Sequence, residues 1–388
     1  MKRIITIVAA VLAVAACSKE NVVDIQREVT FEVAKCVQTR ATAGVLYDTG
    51  LSFGTYAWYT ATSAATTGSD HADFMVNEKV SFDGTVWKTA DNTFYWPKTG
   101  SVDFISYSPF AGTSNSAGTV PEVSQNSITY TNYTVNTTDD LMYADKVVGC
   151  SANVNEITDD AVSGTDSGYS GVPTLFRHAL AKVGFQIKAN FTEYADPLDA
   201  NKKTTWEVTV TSAKISGLYT TGTCELTLNS DGTTWKKPET TVNSQTHNVW
   251  TAPSGSTGEQ ELVDDTTYPT GVVLTTTAQP LEAASGYVLP QILKNNVQKI
   301  ELVLHIKTTL PTGNVIEEDY NPTFNIKDIS TLRAWEMNQN ILYTINIKPT
   351  AKADGTAGHD DDPEDVIITF DPAVADWTSV NASATIQL

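Results

Sequence analysis

The sequence predicts an all-β protein built from two antiparallel β-sandwich domains in tandem. Short runs rich in Val, Ile, Thr, Tyr, Phe and Trp, such as 102–110 and 182–189, are separated by clusters of Gly, Asn, Asp and Ser. Strands at this spacing, with turn signals between them, are typical of antiparallel sandwiches. The 388 residues exceed one typical domain. We expect an N-terminal sandwich over 41–172 and a C-terminal sandwich over 173–388.

Segments between the strands predict loops rather than helices. The Thr-, Ser- and Gly-rich stretches 111–127, 151–172 and 251–270 are typical of long surface loops. Helical periodicity is scarce, and its best candidates are single turns near 138–144 and 329–335. The second loop separates the two predicted domains.

The first residues predict export. Lys2 and Arg3 precede the apolar run 4–13, which is followed by small residues. This order is that of a signal peptide, here residues 1–16, and the run is too short to span a membrane. Cys17 directly follows Val-Ala-Ala and resembles the lipobox cysteine of bacterial lipoproteins, whose acylation would anchor the chain in the outer membrane. Ordinary secretion with an incidental cysteine is the alternative.

Residues 17–40 predict a lipidated prosegment that contains a removable strand. Its apolar residues lie at alternate positions, as expected of a strand with one buried face, although Lys35 interrupts the pattern; they are Val29, Phe31, Val33 and Val37. Arg40 follows, and after it come the small residues of 41–44. We expect a trypsin-like protease to cut between Arg40 and Ala41.

The last eight residues also alternate and predict a donor strand. Four apolar side chains share one face of a strand at 381–388, namely Ala382, Ala384, Ile386 and Leu388. A removable first strand and a strand-like tail suggest a subunit that loses one strand and receives another from a neighbour. Such an exchange would join copies head to tail.

Charge and cysteine content exclude several partners. The formal net charge is −20, so nothing in the charge balance supports binding of nucleic acid. Cys36 lies in the removable strand, whereas Cys150 and Cys224 are far apart in sequence and their pairing is left open. There is no CxxC pair, which argues against zinc or redox chemistry.

Several landmarks together resemble the fimbrillins, the subunits of the protease-assembled (type V) pili of Bacteroidales. They occur in order along nearly the whole chain: the lipobox, the Thr39–Ala41 cleavage point, Tyr95-Trp96-Pro97 before 102–109, 140–144, 176–183, 287–291 and Trp335-Glu336 before 340–347. The resemblance implies two sandwiches related to the transthyretin-like fold. It also implies lipoprotein export, cleavage at Arg40 by an Arg-specific surface protease, and polymerisation with other fimbrial subunits by strand exchange.

Catalytic chemistry is not predicted. The five histidines show no metal-ligand spacing, and His178 is expected to be structural. Asp166-Ser167-Gly168 lacks a supporting His and Asp arrangement, and the acidic run 360–365 lacks the glycine of a calcium loop. We expect no catalytic residue, no metal, no cofactor and no enzyme activity.

Three functional hypotheses remain. The first is a polymerising shaft subunit, favoured because its tail alternates as a donor strand would. The second is a tip adhesin, which accepts a strand without needing to donate one. The third is a monomeric surface lipoprotein that binds a glycan through exposed aromatic residues, although Trp58, Trp87 and Trp96 lie where core packing is expected. A host or bacterial surface ligand is compatible with each.

Overall fold

The computed structural model describes most of the chain between Glu28 and Val374. The described residues are 28–35, 47–61, 73–112, 119–136, 140–144, 146–150, 171–189, 194–196, 199–228, 250, 257–263, 268–281, 286–330, 332–349 and 366–374. Within them every regular element is a strand except one helix of four residues, so the predicted all-β class is confirmed. None of these residues forms a helix long and apolar enough to cross a membrane.

The first ten strands occupy the N-terminal part of the chain. They are β1 Thr30–Lys35, β2 Ser52–Thr60, β3 Met75–Phe82, β4 Trp87–Thr89, β5 Ser101–Ser108, β6 Glu122–Val123, β7 Ser127–Thr134, β8 Met142–Ala144, β9 Val147–Cys150 and β10 Val172–His178.

The remaining elements follow without a long helix. They are β11 Ala181–Ala189, β12 Tyr194–Asp196, β13 Asp199–Tyr219, β14 Thr221–Thr227, β15 Thr257–Val263, β16 Val272–Val273, β17 Gln279–Pro280, β18 Tyr287–Val288, β19 Gln291–Ile292, β20 Lys299–Thr309, β21 Val315–Tyr320, β22 Thr323–Asn325, α1 Ile326–Ile329, β23 Ala334–Trp335, β24 Asn340–Pro349 and β25 Val366–Val374.

The N-terminal sheet closes on itself. Its strands are paired in the order β2-β3-β4-β1-β10-β8-β5-β9, and β2 also pairs with β5. The path from β2 to β5 is therefore a closed ring, with β9 beside β5. Apolar side chains that alternate along these strands fill its interior, among them Phe53, Met75, Phe104 and Phe176. Among the described residues, each of the seven strands from β2 round to β5 therefore pairs with a strand on both sides.

The C-terminal part packs two sheets over a second core. One sheet has the order β17-β11-β24-β25, with β18 also on β11; the other has the order β12-β13-β20-β21, with β15 and β16 on β13 and β22 on β20. Phe185 and Tyr343 stack in this core with ring centroids 5.2 Å apart. The fully buried Trp335 donates its indole N–H to Tyr343 Oη over 2.9 Å. Strand β25 is an edge of its sheet.

The chain crosses between the two parts at Ala179 and Leu180. The predicted domain boundary at residue 172 precedes β10, whereas β10 pairs with β1 and β8 in the N-terminal sheet. Ala179 and Leu180 are fully buried, and their backbone groups are paired with Leu141 O and Asn338 N respectively. Strand β14 also reaches back to pair with β7. These contacts join the two parts through a third apolar cluster.

Two details differ from the sequence expectations. Residues 142–144, expected in a helical turn, form β8, in which Met142 and Ala144 are buried and Tyr143 between them is half-buried. Two pairings are parallel, β1 with β10 and β11 with β24, although an antiparallel arrangement was expected throughout. Long stretches of chain separate the partners in each case, which is the condition for parallel pairing. Cys150 and Cys224 are both buried and do not form a disulfide.

Candidate functional site

Strand β1 lies between β4 and β10 and closes the N-terminal ring. It pairs in parallel with β10 over five residues, from Phe31 opposite Val172 to Lys35 opposite Phe176. On its other side it pairs antiparallel with β4, where Phe31 lies opposite Trp87. The backbone N–H of Val29 donates to Phe94 O over 2.9 Å, just before the strand begins. The predicted removable strand is therefore an interior strand of the sheet.

The three described apolar residues of β1 and its approach lie in the core. Val29, Phe31 and Val33 are 1%, 4% and 6% exposed. The ring of Phe31 meets Phe53 and Phe104 edge to face, with centroids 5.5 and 5.8 Å apart. Such aromatic pairs add to the stabilisation from burial alone. Phe31 is the largest of these three side chains.

Without β1 the ring would be open. Strands β4 and β10 would each present unpaired backbone N–H and C=O groups, which form a template for another strand. Three apolar side chains, each worth about 1.5–3 kcal/mol when fully buried, would leave the core. Pro173 in β10 has no N–H to donate, a feature of strands that serve at a sheet edge. We call the space between β4 and β10 the β1 groove.

Tyr47 anchors the chain after β1. It is 2% exposed, and its ring stacks on Phe176 of β10 with centroids 5.0 Å apart. Its hydroxyl lies 2.5 Å from Ser108 Oγ, and burial raises its pKa to about 12. Arg40 lies between β1 and this anchor in the sequence. A cut at Arg40 would leave Tyr47 as the first described core residue of the remaining chain.

Two other arginines have paired backbones. Arg177, in β10, is 5% exposed and lies opposite Tyr143 of β8. Arg333 has an exposed side chain, but its carbonyl accepts the N–H of Leu293 over 3.0 Å and the next residue begins β23. Cleavage at either site would have to disrupt these pairings.

Nothing within the described residues assembles into a metal or catalytic centre. No group of three or more His, Cys, Asp and Glu among them could hold a metal ion. His178 is buried, and its Nδ1 lies 2.7 Å from Asp140 Oδ1, so it joins β10 to the segment before β8. Trp58, Trp87 and Trp96 are all buried, so none is available to a sugar.

Comparison with known families decides the class of protein. A family model described as fimbrillin-like matches residues 39–377, which is most of the chain. This chain belongs to the fimbrillin-like family. The family predicted from the sequence is thereby confirmed, and membership supports a fimbrial structural subunit.

Solved structures that resemble this fimbrillin-like chain have low sequence identity and low TM-scores. A fimbrial protein from Bacteroides vulgatus is 16% identical with a TM-score of 0.45, and the match covers 91% of this chain and 100% of that one. The tip fimbrial protein Mfa3 from Porphyromonas gingivalis, with C-terminal truncation, is 12% identical with a TM-score of 0.33, covering 84% and 94%. At these scores the likeness carries nothing about role. No curated protein matches the chain.

Most other predicted site residues of this fimbrillin-like chain lie outside the described residues. They are the lipidation site Cys17, the strand residue Val37, the cleavage pair Arg40 and Ala41, and the donor residues Ala382, Ala384, Ile386 and Leu388. The acidic run 360–365 lies outside them as well. Their roles stay predictions.

Sequence reasoning missed the residues that line the β1 groove. Trp87 was expected in the core and Phe176 was part of the landmark 176–183, but no local pattern links them to β1, which is far from Phe176 in the chain. Gly171 was included only in the predicted loop 151–172, although it lies against β1. Periodicity identifies the buried face of a strand, not its neighbours.

We predict that Phe31→Ala in the precursor lowers the free energy of unfolding by about 3–5 kcal/mol, the usual loss for a buried aromatic residue. Denaturant unfolding measures the change. Val76→Ala is the control, because Val76 is 61% exposed and should change stability by no more than about 0.5 kcal/mol. Equal effects from the two substitutions would contradict the placement of Phe31 in the core.

Proposed function

We propose that this chain is a structural subunit of a cell-surface fimbria, and that it polymerises by exchanging β1 for a strand of another copy. The observation that carries the proposal is the position of β1. It is an interior strand of the ring, and in the sequence Arg40 lies between β1 and Tyr47, the next described core residue. One cut in that stretch would separate β1 from the body of the subunit.

After β1 leaves, a groove filled by another strand is more stable than an empty groove. A strand that enters the groove restores hydrogen bonds to β4 and β10 and buries alternate apolar side chains. In the precursor β1 performs both tasks, so the subunit folds and is exported without joining others. Exchange with a second copy is head to tail, and a heterologous contact of this kind builds a filament rather than a closed dimer.

Cleavage at Arg40 is supported by the state of the other arginines. Arg3 lies in the predicted signal peptide, Arg177 is buried in β10, and the carbonyl of Arg333 accepts a hydrogen bond from Leu293 N–H. Arg27 precedes β1, so a cut there would leave β1 attached to the body of the chain. Of these sites, Arg40 alone releases the strand.

We predict that Arg40→Ala precursor remains monomeric after exposure to an Arg-specific protease, while the wild type yields a body that begins at Ala41 and assembles. N-terminal sequencing and size-exclusion chromatography measure both results. Arg333→Ala is the control and should be processed and assembled as the wild type is. Filaments whose subunits retain residues 28–35 would contradict the proposal.

Export as a lipoprotein completes the precursor pathway. The signal peptide 1–16 would be removed and Cys17 acylated, which would hold the precursor in the outer membrane until the cut at Arg40 releases the body from its anchor. The lipid is then needed before assembly and absent from the mature subunit.

We predict that Cys17→Ser abolishes incorporation of labelled palmitate and retention in the outer membrane. Metabolic labelling followed by membrane fractionation measures both. Cys36→Ser is the matched control, since this cysteine follows β1 and is not in the lipobox. Undiminished labelling of the Cys17 variant would show that the anchor lies elsewhere.

The donor strand is proposed at 381–388, which makes the chain a shaft subunit rather than a tip. Its support is the alternation of that segment, in which Ile386 and Leu388 are the large apolar members. The segment follows β25, an edge strand of the C-terminal sheet. A tail that leaves from a sheet edge can extend toward another copy without breaking an interior pairing.

We predict that Ile386→Asp leaves a folded, cleavable monomer that no longer polymerises. A buried unpaired carboxylate costs several kcal/mol, more than the isoleucine gains by burial. Gln387→Asp is the control, because residue 387 lies on the opposite face of the strand and should be tolerated. Negative-stain microscopy of cleaved protein scores filaments. Equal loss from both variants would mean that the tail is not bound as a one-faced strand.

A further inference from the structure

Gly171 lies against the backbone of β1. It immediately precedes β10 and is buried. A Cβ placed on Gly171 would be 2.7 Å from Thr30 O, 2.8 Å from Thr30 C and 2.9 Å from Phe31 C. These atoms belong to the main chain of β1, so no side-chain rotation could relieve the contact. Any side chain at 171 would push the strand away from β10.

A glycine is needed at 171 because β1 leaves no space for a Cβ, not because of the backbone conformation there. Several other glycines of the described chain have positive φ, Gly149 and Gly217 among them, but Gly171 does not. Alanine can therefore adopt the backbone conformation of Gly171 without strain. The three atoms nearest to such a Cβ all belong to β1, so the closest contacts of an alanine at 171 arise when a strand occupies the β1 groove.

The contact coincides with the deepest point of the groove. Phe31 pairs with Val172 on one side and with Trp87 on the other, and its ring packs on Phe53 and Phe104. The backbone contact with Gly171, at Thr30 and Phe31, is thus adjacent to the largest side-chain anchor of β1. A strand shifted along the groove would lose one of the two.

We infer that Gly171 is a positioning residue that sets the register and depth of the strand in the β1 groove. In the precursor that strand is β1. The extension to an incoming strand rests on the proposed function, since it requires a second strand to take the same path. Such a strand must present a large apolar side chain beside the point where its backbone crosses Gly171.

The test compares Gly171→Ala with Gly112→Ala in the full precursor. Gly112 is the matched control, because a Cβ there would meet nothing within 4 Å and its φ is not positive. Each precursor carries a fluorophore on the prosegment and is cut after Arg40 by an Arg-specific protease. Release of the prosegment is followed by anisotropy, and thermal unfolding is measured before the cut and after release.

The effect of Gly171→Ala on the unfolding temperature should depend on whether a strand occupies the β1 groove. We expect the uncut precursor to unfold at a lower temperature than wild type, and the prosegment to leave about tenfold faster or more, as for an overpacked core position. At a concentration at which size-exclusion chromatography shows only monomer, the released Gly171→Ala body should unfold at the temperature of the released wild-type body or slightly above it, since Ala restricts the unfolded chain. Gly112→Ala should match wild type in all three measurements.

A purely structural glycine would behave differently. If Gly171→Ala destabilised the released body as much as the precursor, or left the release rate unchanged, the inference would be wrong. If the wild-type prosegment never left, unchanged stability of the uncut Gly171→Ala precursor would also overturn it. Failure of wild-type protein to form filaments after release would reject the proposed function alone, because the prosegment measurements do not involve a second copy.

Discussion

The pairing of β1 with both β4 and β10 is the constraint on which the N-terminal part of the structure depends. With β1 in place the ring has no free edge, and Phe31 fills the space between Phe53 and Phe104. An open ring would have two strand edges and an apolar groove, both of which favour association with other chains. The same six-residue strand therefore closes the ring, and under the proposed function it also keeps the precursor from associating.

The free energy of burying β1 explains why, under the proposed function, loss of β1 would be followed by binding of another strand. Burial of Val29, Phe31 and Val33 is worth on the order of 5–9 kcal/mol as an upper estimate, against about 5–15 kcal/mol for the net stability of a typical domain. A body without β1 would thus be left near the limit of stability. Under the proposed strand exchange, a strand of similar pattern that enters the groove restores this stabilisation and so drives assembly.

Sequence patterns predicted the strands and their buried faces better than they predicted which strands pair. Period-2 alternation identified the buried face of β1 and the all-β class, because burial on one face leaves that pattern in any strand. The parallel partner of β1 could not be predicted, since Val172 is far away in the chain and pairing across such a distance leaves no local signal. For the same reason β10 was expected in the C-terminal domain, and Gly171 was not recognised as a contact of β1. Residues 142–144 were expected to be helical, but their pairing with β5 and β10 decides their conformation.

The most direct test of strand exchange at the β1 groove is a photo-cross-link from the proposed donor strand. A photoreactive phenylalanine analogue at position 386 would be activated in protein cut after Arg40, and the products mapped by mass spectrometry. We expect cross-links to β10 or β4 of a second copy, absent when the precursor is uncut because β1 occupies the groove. Cross-links that map elsewhere, or that form equally in the uncut precursor, would contradict exchange at the β1 groove.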